Sequence, residues 1–245
     1  MPRQPVGHQK RELAREGFIV PWRSLLPGDI LLFASGKQNP LQLAISAFTH
    51  SPYTHAAICI GKGQIAESKL ITGVQIYRLK STGLKQADRI GVLRTQATFS
   101  NNRATAVRSF VEELVKNRVG YDLKEAGKWK KFTPKGQAAL QAGLLEELLN
   151  NYGEHEPQEQ FLKRSYFCSA LVVACYTVAG LIGNTAQIAY DPKTLSPGGL
   201  YADPTFGWFL GYLLADGGSV PHDDPLLTDP DVTHWRDNLS ARWWS

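Results

Sequence analysis

Between about residues 28 and 95 the apolar positions recur mostly at the two-residue spacing of strands. Leu26-Pro27-Gly28-Asp29 reads as a turn, and Ile30-Leu31-Leu32-Phe33 follows as a short apolar run. Thr54 to Ile60 then leads into Gly61-Lys62-Gly63, a hairpin signal, and Gln64 to Ser68 returns from it. Gly73 to Leu79 alternates cleanly, and Arg89 to Leu93 makes a fifth strand. The pattern predicts a small, mostly antiparallel sheet or open barrel. After Ser100-Asn101-Asn102, which reads as a cap, the period changes. Ala104, Val107, Phe110, Val111, Leu114 and Val115 line one face of a helix that Gly120-Tyr121-Asp122 closes. A second helix is expected from Gln137 to Asn150, and a third from near Cys168 to Gly180. From Asn184 onward the chain is broken by Gly and Pro among scattered aromatics, and residues 216–234 read as an acidic loop. The expected organisation is an extension over 1–24, one α+β domain over 25–215 with a helical insertion near 122–165, and a tail over 216–245.

Composition narrows this only a little. Of 245 residues, 43% are apolar and 20% charged, which excludes wholesale disorder, collagen repeats and coiled coil. The net charge of +5 is mild and comes with no dense basic run, so no nucleic-acid partner is expected. Cys59, Cys168 and Cys175 form no Cys-x-x-Cys pair, so neither a zinc site nor a disulfide framework is expected. Met1 to Glu16 has no apolar core of signal-peptide length. The longest apolar stretch, Leu171 to Gly183, is 13 residues, against the roughly 20 that span a bilayer. A soluble chain, cytoplasmic as made and without a transmembrane segment, is the expectation.

The sharpest chemical feature is Tyr166-Phe167-Cys168-Ser169-Ala170-Leu171. A cysteine in the first turn of an apolar helix faces unpaired N–H groups and the positive end of the helix dipole, both of which favour a thiolate. The same N–H groups can receive the oxyanion of a tetrahedral intermediate. Such a nucleophile needs a base, and His55 is the best candidate. It shares a strand face with the small residues Ala57 and Cys59, which leaves room for the Cys168 helix to pack beside it. If Gly61-Lys62-Gly63 closes a hairpin, the residues opposite His55 fall between about 67 and 70. Glu67 lies at one end of that range, placed to orient the imidazole.

Several of these segments, in this order, resemble one family. The order is Gly28-Asp29-Ile30-Leu31-Leu32-Phe33, Thr54-His55-Ala56-Ala57-Ile58, Ile65-Ala66-Glu67-Ser68, Gly73-Val74, Gly120-Tyr121-Asp122, Phe167-Cys168-Ser169 and Leu195-Ser196-Pro197-Gly198-Gly199-Leu200. It resembles the circularly permuted papain-like amidases of the NlpC-type cysteine hydrolase superfamily, which includes lecithin–retinol acyltransferase-like enzymes. The likeness covers about residues 25–205, and 122–165 match poorly. It implies an α+β fold with a small antiparallel sheet or barrel packed on helices, the histidine strand preceding the cysteine helix. It implies Cys168 as nucleophile, His55 as base and Glu67 at the polar third position. Tyr121, Tyr166 and Ser169 are the expected substrate-binding neighbours.

The chemistry so implied needs no cofactor and no metal. An amide in a cell-wall (peptidoglycan) peptide is the first expected substrate, and an acyl ester or amide of a lipid, hydrolysed or transferred, is the second. Such a chain would work on recycled fragments, or be delivered to a periplasm by secretion machinery as an antibacterial effector with an immunity protein as partner. A silent module that binds cell envelope or another protein is the reading outside enzymology. An exposed groove with Cys168 buried away from His55 would favour it. The remaining features read as packing or surface. His50 belongs to a rim, Cys59 and Cys175 to the core, and His222-Asp223-Asp224 to a solvated loop. Lys124 to Lys135 with Trp129 form a solvated insertion, or a peripheral contact with an anionic membrane or wall polymer. Trp235, Trp243 and Trp244 dock the tail.

Overall fold

A computed structural model describes residues 19–35, 40–80, 84, 87–95, 99–120, 166–182, 190, 195–215 and 218–228. Within them, six strands form one sheet: β1 Ile30–Ala34, β2 His55–Gly61, β3 Gln64–Lys69, β4 Gly73–Arg78, β5 Arg89–Arg94 and β6 Trp208–Leu214. Their order is β4-β3-β2-β1-β5-β6, and every neighbouring pair is antiparallel. The described helices are α1 Pro40–Thr49, α2 Asn101–Lys116, α3 Cys168–Val178, α4 Pro197–Ala202 and α5 Pro225–Thr228. The fold is α+β.

β1 is buried along its whole length, and β2 and β3 at all but their end residues, because both faces of the sheet are covered. Alternate residues go to different cores. Ile30, Leu32, Ala56, Ile58 and Ala66 pack with α2 and α3 on one face. Leu31, Phe33, Ala57, Cys59 and Ile65 pack on the other, against Trp22, Leu25 and Tyr77. The hairpin expected at Gly61-Lys62-Gly63 is present, with Lys62 and Gly63 at φ 55° and 67°, the positive values that a tight hairpin turn needs. Ser100 caps α2 by accepting from the Arg103 N–H, as its residue type predicts. The first nine residues of α3, Cys168 to Tyr176, are all buried, which suits a helix that is apolar on every side.

Two elements had no clear signal. β6 reads in sequence as scattered aromatics because its alternation is broken. Gly211 sits at φ 147° where the register with β5 shifts between Val92 and Leu93. α1 fills the segment after β1, for which the sequence pattern predicts no element. The solvated acidic loop expected near 216–234 is also corrected in part. Leu226 is fully buried, and its Cδ1 would lie 2.5 Å from a Cβ at Gly91, so this segment packs closely on the sheet. Asp224 is buried too, accepting from Tyr53 Oη at 2.8 Å and pairing with Arg89 at 2.8 Å. The helix expected at 137–150, the Lys124–Lys135 cluster and the C-terminal tryptophans lie outside the described residues.

Candidate active site

His55 opens β2, where the Thr54 N–H donates to the Phe33 carbonyl at 3.1 Å and fixes the strand end on β1. The Phe33 ring tilts against the imidazole, with centroids 5.4 Å apart. Glu67 approaches from β3, its Oε2 lying 2.7 Å from His55 Nε2. The register differs from simple opposition. Glu67 pairs with Ala57, so it reaches His55 along the diagonal on the same sheet face. The arrival of α3 also differs from expectation. Its body packs on the Ala56–Ile58–Ile60 face rather than beside Ala57, and its N-terminus meets His55 at the end of the strand. With Nε2 engaged by Glu67, Nδ1 is the ring nitrogen left for the Cys168 thiol, which lies within hydrogen-bonding reach of the ring.

Hydrogen bonds from neighbouring segments hold these parts in place. The Ser68 hydroxyl donates to the Tyr166 carbonyl at 2.6 Å, tying β3 to the chain that enters α3. The Tyr166 N–H in turn donates to the Gly120 carbonyl at 3.2 Å. Ser169 Oγ donates to the Leu195 carbonyl at 2.6 Å, anchoring the first turn of α3 to the segment before α4. A Cβ at Gly198 would meet Ser51 Cβ at 2.7 Å, so the Ser-Pro-Gly-Gly segment lies close against the loop leading to His55. No side chain caps the start of α3; its N-cap is Phe167. Its first N–H groups are therefore not spent on a capping side chain.

The electrostatics follow from burial working against pairing. Burial disfavours a charged His55, but its interactions with Cys168 and Glu67 outweigh that cost, and its pKa is pushed up to about 9. Burial also penalises an ionised Glu67. Here the hydrogen bond and charge of His55 prevail, helped by Lys69 and Tyr77, and hold it down to about 2. At neutral pH the site thus holds a carboxylate and an imidazolium beside a thiol sulfur. That arrangement suits nucleophilic attack on a carbonyl, with a proton at hand for the leaving group. His55 is 17% exposed and Cys168 only 2%, so the site opens on the imidazole side.

Cys59 and Cys175 sit away from the imidazole, in the two cores. Cys59 is pushed up to about 11 and Cys175 higher still, both by burial, so both behave as core residues. The expected substrate-binding neighbours are placed as follows. Tyr166 is buried with its ring edge-on to Phe110, and Ser169 is buried with its hydroxyl donating to the Leu195 carbonyl. Tyr121 lies outside the described residues. His50 is exposed at φ 49°, in keeping with a rim position. Among the described residues no group of three or more His, Cys, Asp or Glu could hold a metal, and no helix is long and apolar enough to cross a membrane.

Ser68, Lys69, Gln75 and Tyr77 belong to the site's surroundings and were not foreseen. A second hairpin count would have found Gln75. A turn over residues 70–72 pairs Lys69 with Gly73 and therefore Glu67 with Gln75, which is the observed register. No protein-family model matches the chain, and no curated protein matches it.

Proposed function

We propose that this protein is a cysteine hydrolase with the permuted papain-like arrangement, in which Cys168 attacks an amide or ester carbonyl. The observation that carries the reading is the convergence of three side chains from α3, β2 and β3: Cys168 beside His55, and His55 Nε2 2.7 Å from Glu67. The order of these elements, histidine strand before cysteine helix, is that of the family the sequence resembles.

In this reading the Cys168 sulfur forms a bond to the carbonyl carbon while the proton resides on His55. The N–H groups at the uncapped start of α3 receive the oxyanion. Collapse of the intermediate breaks the bond to the leaving amine or alcohol, which takes the proton from His55, and a thioester on Cys168 remains. Water, deprotonated by His55, then releases the acid; another acceptor would make the enzyme a transferase. Glu67 keeps the ring aligned throughout and stabilises the imidazolium whenever it forms.

The favoured substrate is an amide in cell-wall peptide, on the strength of the family resemblance. One observation supports the second substrate, a lipid acyl ester or amide. Leu70 and Ile71, 41% and 94% exposed, form the tip between β3 and β4 at the same end of the sheet as His55. An apolar tip beside the site suits a lipid surface. Intact-mass spectrometry after incubation with muropeptides, and separately with phospholipid vesicles, tests both. A substrate-derived thioester on Cys168, absent in Cys168→Ala, is the expected result. No adduct and no product from either class would overturn the reading.

A further inference from the structure

Resting on that reading, we propose that Gln75 is a positioning residue of the site, holding the Glu67 carboxylate in the plane from which it addresses His55. Gln75 lies directly opposite Glu67 in the β3–β4 register, and its Nε2 donates to Glu67 Oε1 at 2.8 Å. The other oxygen, Oε2, is the one on His55. The terminal torsion of a glutamate is broad, so one hydrogen bond at Oε2 would leave the carboxylate plane free to turn. A donor fixed on the adjacent strand removes that freedom.

Lys69 also reaches Oε1, at 2.5 Å, but it differs in kind. Its flexible side chain is 35% exposed, and its ammonium lies 5.2 Å over the Tyr77 ring. It brings charge that competes with His55 for the carboxylate. Gln75 brings direction and no charge. The groups that face Glu67 are therefore His55 from β2, Lys69 from its own strand, and Gln75 and Tyr77 from β4, with the Cys168 thiol of α3 beyond the imidazole.

The two possible roles of Gln75 predict opposite signs. If it only stabilised the anion, its removal would leave Glu67 more basic and strengthen the pull on the His55 proton. If it positions the carboxylate, removal lets the plane turn away and weakens that pull. The experiment is an NMR titration of the His55 ring in the full chain, together with the alkylation rate of Cys168, in wild type, Gln75→Met and Lys69→Met. The expected result is a His55 midpoint lower by about one pH unit in Gln75→Met, a tenfold change in the imidazolium ratio, with slower alkylation at neutral pH. Lys69→Met should leave the midpoint unchanged or raise it. Gln75→Asn, which keeps the donor on a shorter arm, should fall between wild type and Gln75→Met. An unchanged or raised midpoint in Gln75→Met, with wild-type Cys168 fast-reacting, would overturn the positioning role and leave the hydrolase reading standing. A wild-type Cys168 no faster than Cys59 and Cys175 would remove both.

Discussion

Glu67 and Asp29 are carboxylates buried at opposite ends of the same sheet, and they are paired in different ways. Asp29, just before β1, receives Arg94 Nε on Oδ1 and Nη2 on Oδ2, each at 2.7 Å, and also the Leu26 N–H at 2.8 Å. That is a bidentate pair with a guanidinium that never gives up its proton. Glu67 faces an imidazole whose proton can leave, and beyond it a thiol. The net directions differ as well. Burial keeps the Asp29 pKa above its ordinary value in spite of Arg94, whereas His55, Lys69 and Tyr77 overcome burial at Glu67. The Asp29 end ties the turn before β1 to β5 and holds the fold. The Glu67 end holds a proton that can move.

Breaking each end should therefore have a different consequence. Asp29→Leu leaves Arg94, only 22% exposed, without its partner and should cost about 3 kcal/mol of unfolding free energy in urea. Where the protein stays folded, the ranking of the three cysteines toward alkylation should be unchanged. Glu67→Gln should do the reverse, lowering Cys168 reactivity at neutral pH by roughly a hundredfold with a smaller change in the urea midpoint.

The pH dependence of stability sharpens the same contrast. His55 is raised, so the stability it contributes is complete below its ordinary value of 6.5 and is lost as the pH rises through about 9. Glu67 is lowered, so its contribution is complete above 4.5 and is lost as the pH falls through about 2. Urea midpoints should be flat between pH 5 and 6 and decline toward pH 10, by at most roughly 3 kcal/mol. His55→Ala should abolish most of that alkaline decline. The smallest expected effect is that of Ser68→Ala, which removes the donor to Tyr166 and should cost about 1 kcal/mol, with hydrogen exchange rising first in the turn that enters α3.

Strands β1 to β5 were legible because period-two runs ended at glycine-bearing turns, and α2 and α3 because their apolar spacing and starts were clear. β6 was not, since the bulge at Gly211 interrupts its alternation. The candidate trio of Cys168, His55 and Glu67 was legible from a helix start, a strand face and one hairpin count. The diagonal reach of Glu67 was not, because it depends on a pairing offset that loop length alone leaves open. The partners of Tyr166 and Ser169 were not legible either, because Phe110 and Leu195 reach them only through the tertiary fold. Asp224 looked solvated in its acidic loop, but only the tertiary fold brings Tyr53 and Arg89 to it.

The central claim is that Cys168 and His55 form a reactive pair. It is tested most directly by the alkylation rate of each cysteine against pH, read by peptide mass spectrometry in wild type and His55→Ala. The account predicts that Cys168 reacts far faster than Cys59 and Cys175 near pH 6, and that the histidine substitution removes this advantage. A Cys168 as inert as the two core cysteines in the folded protein would contradict it.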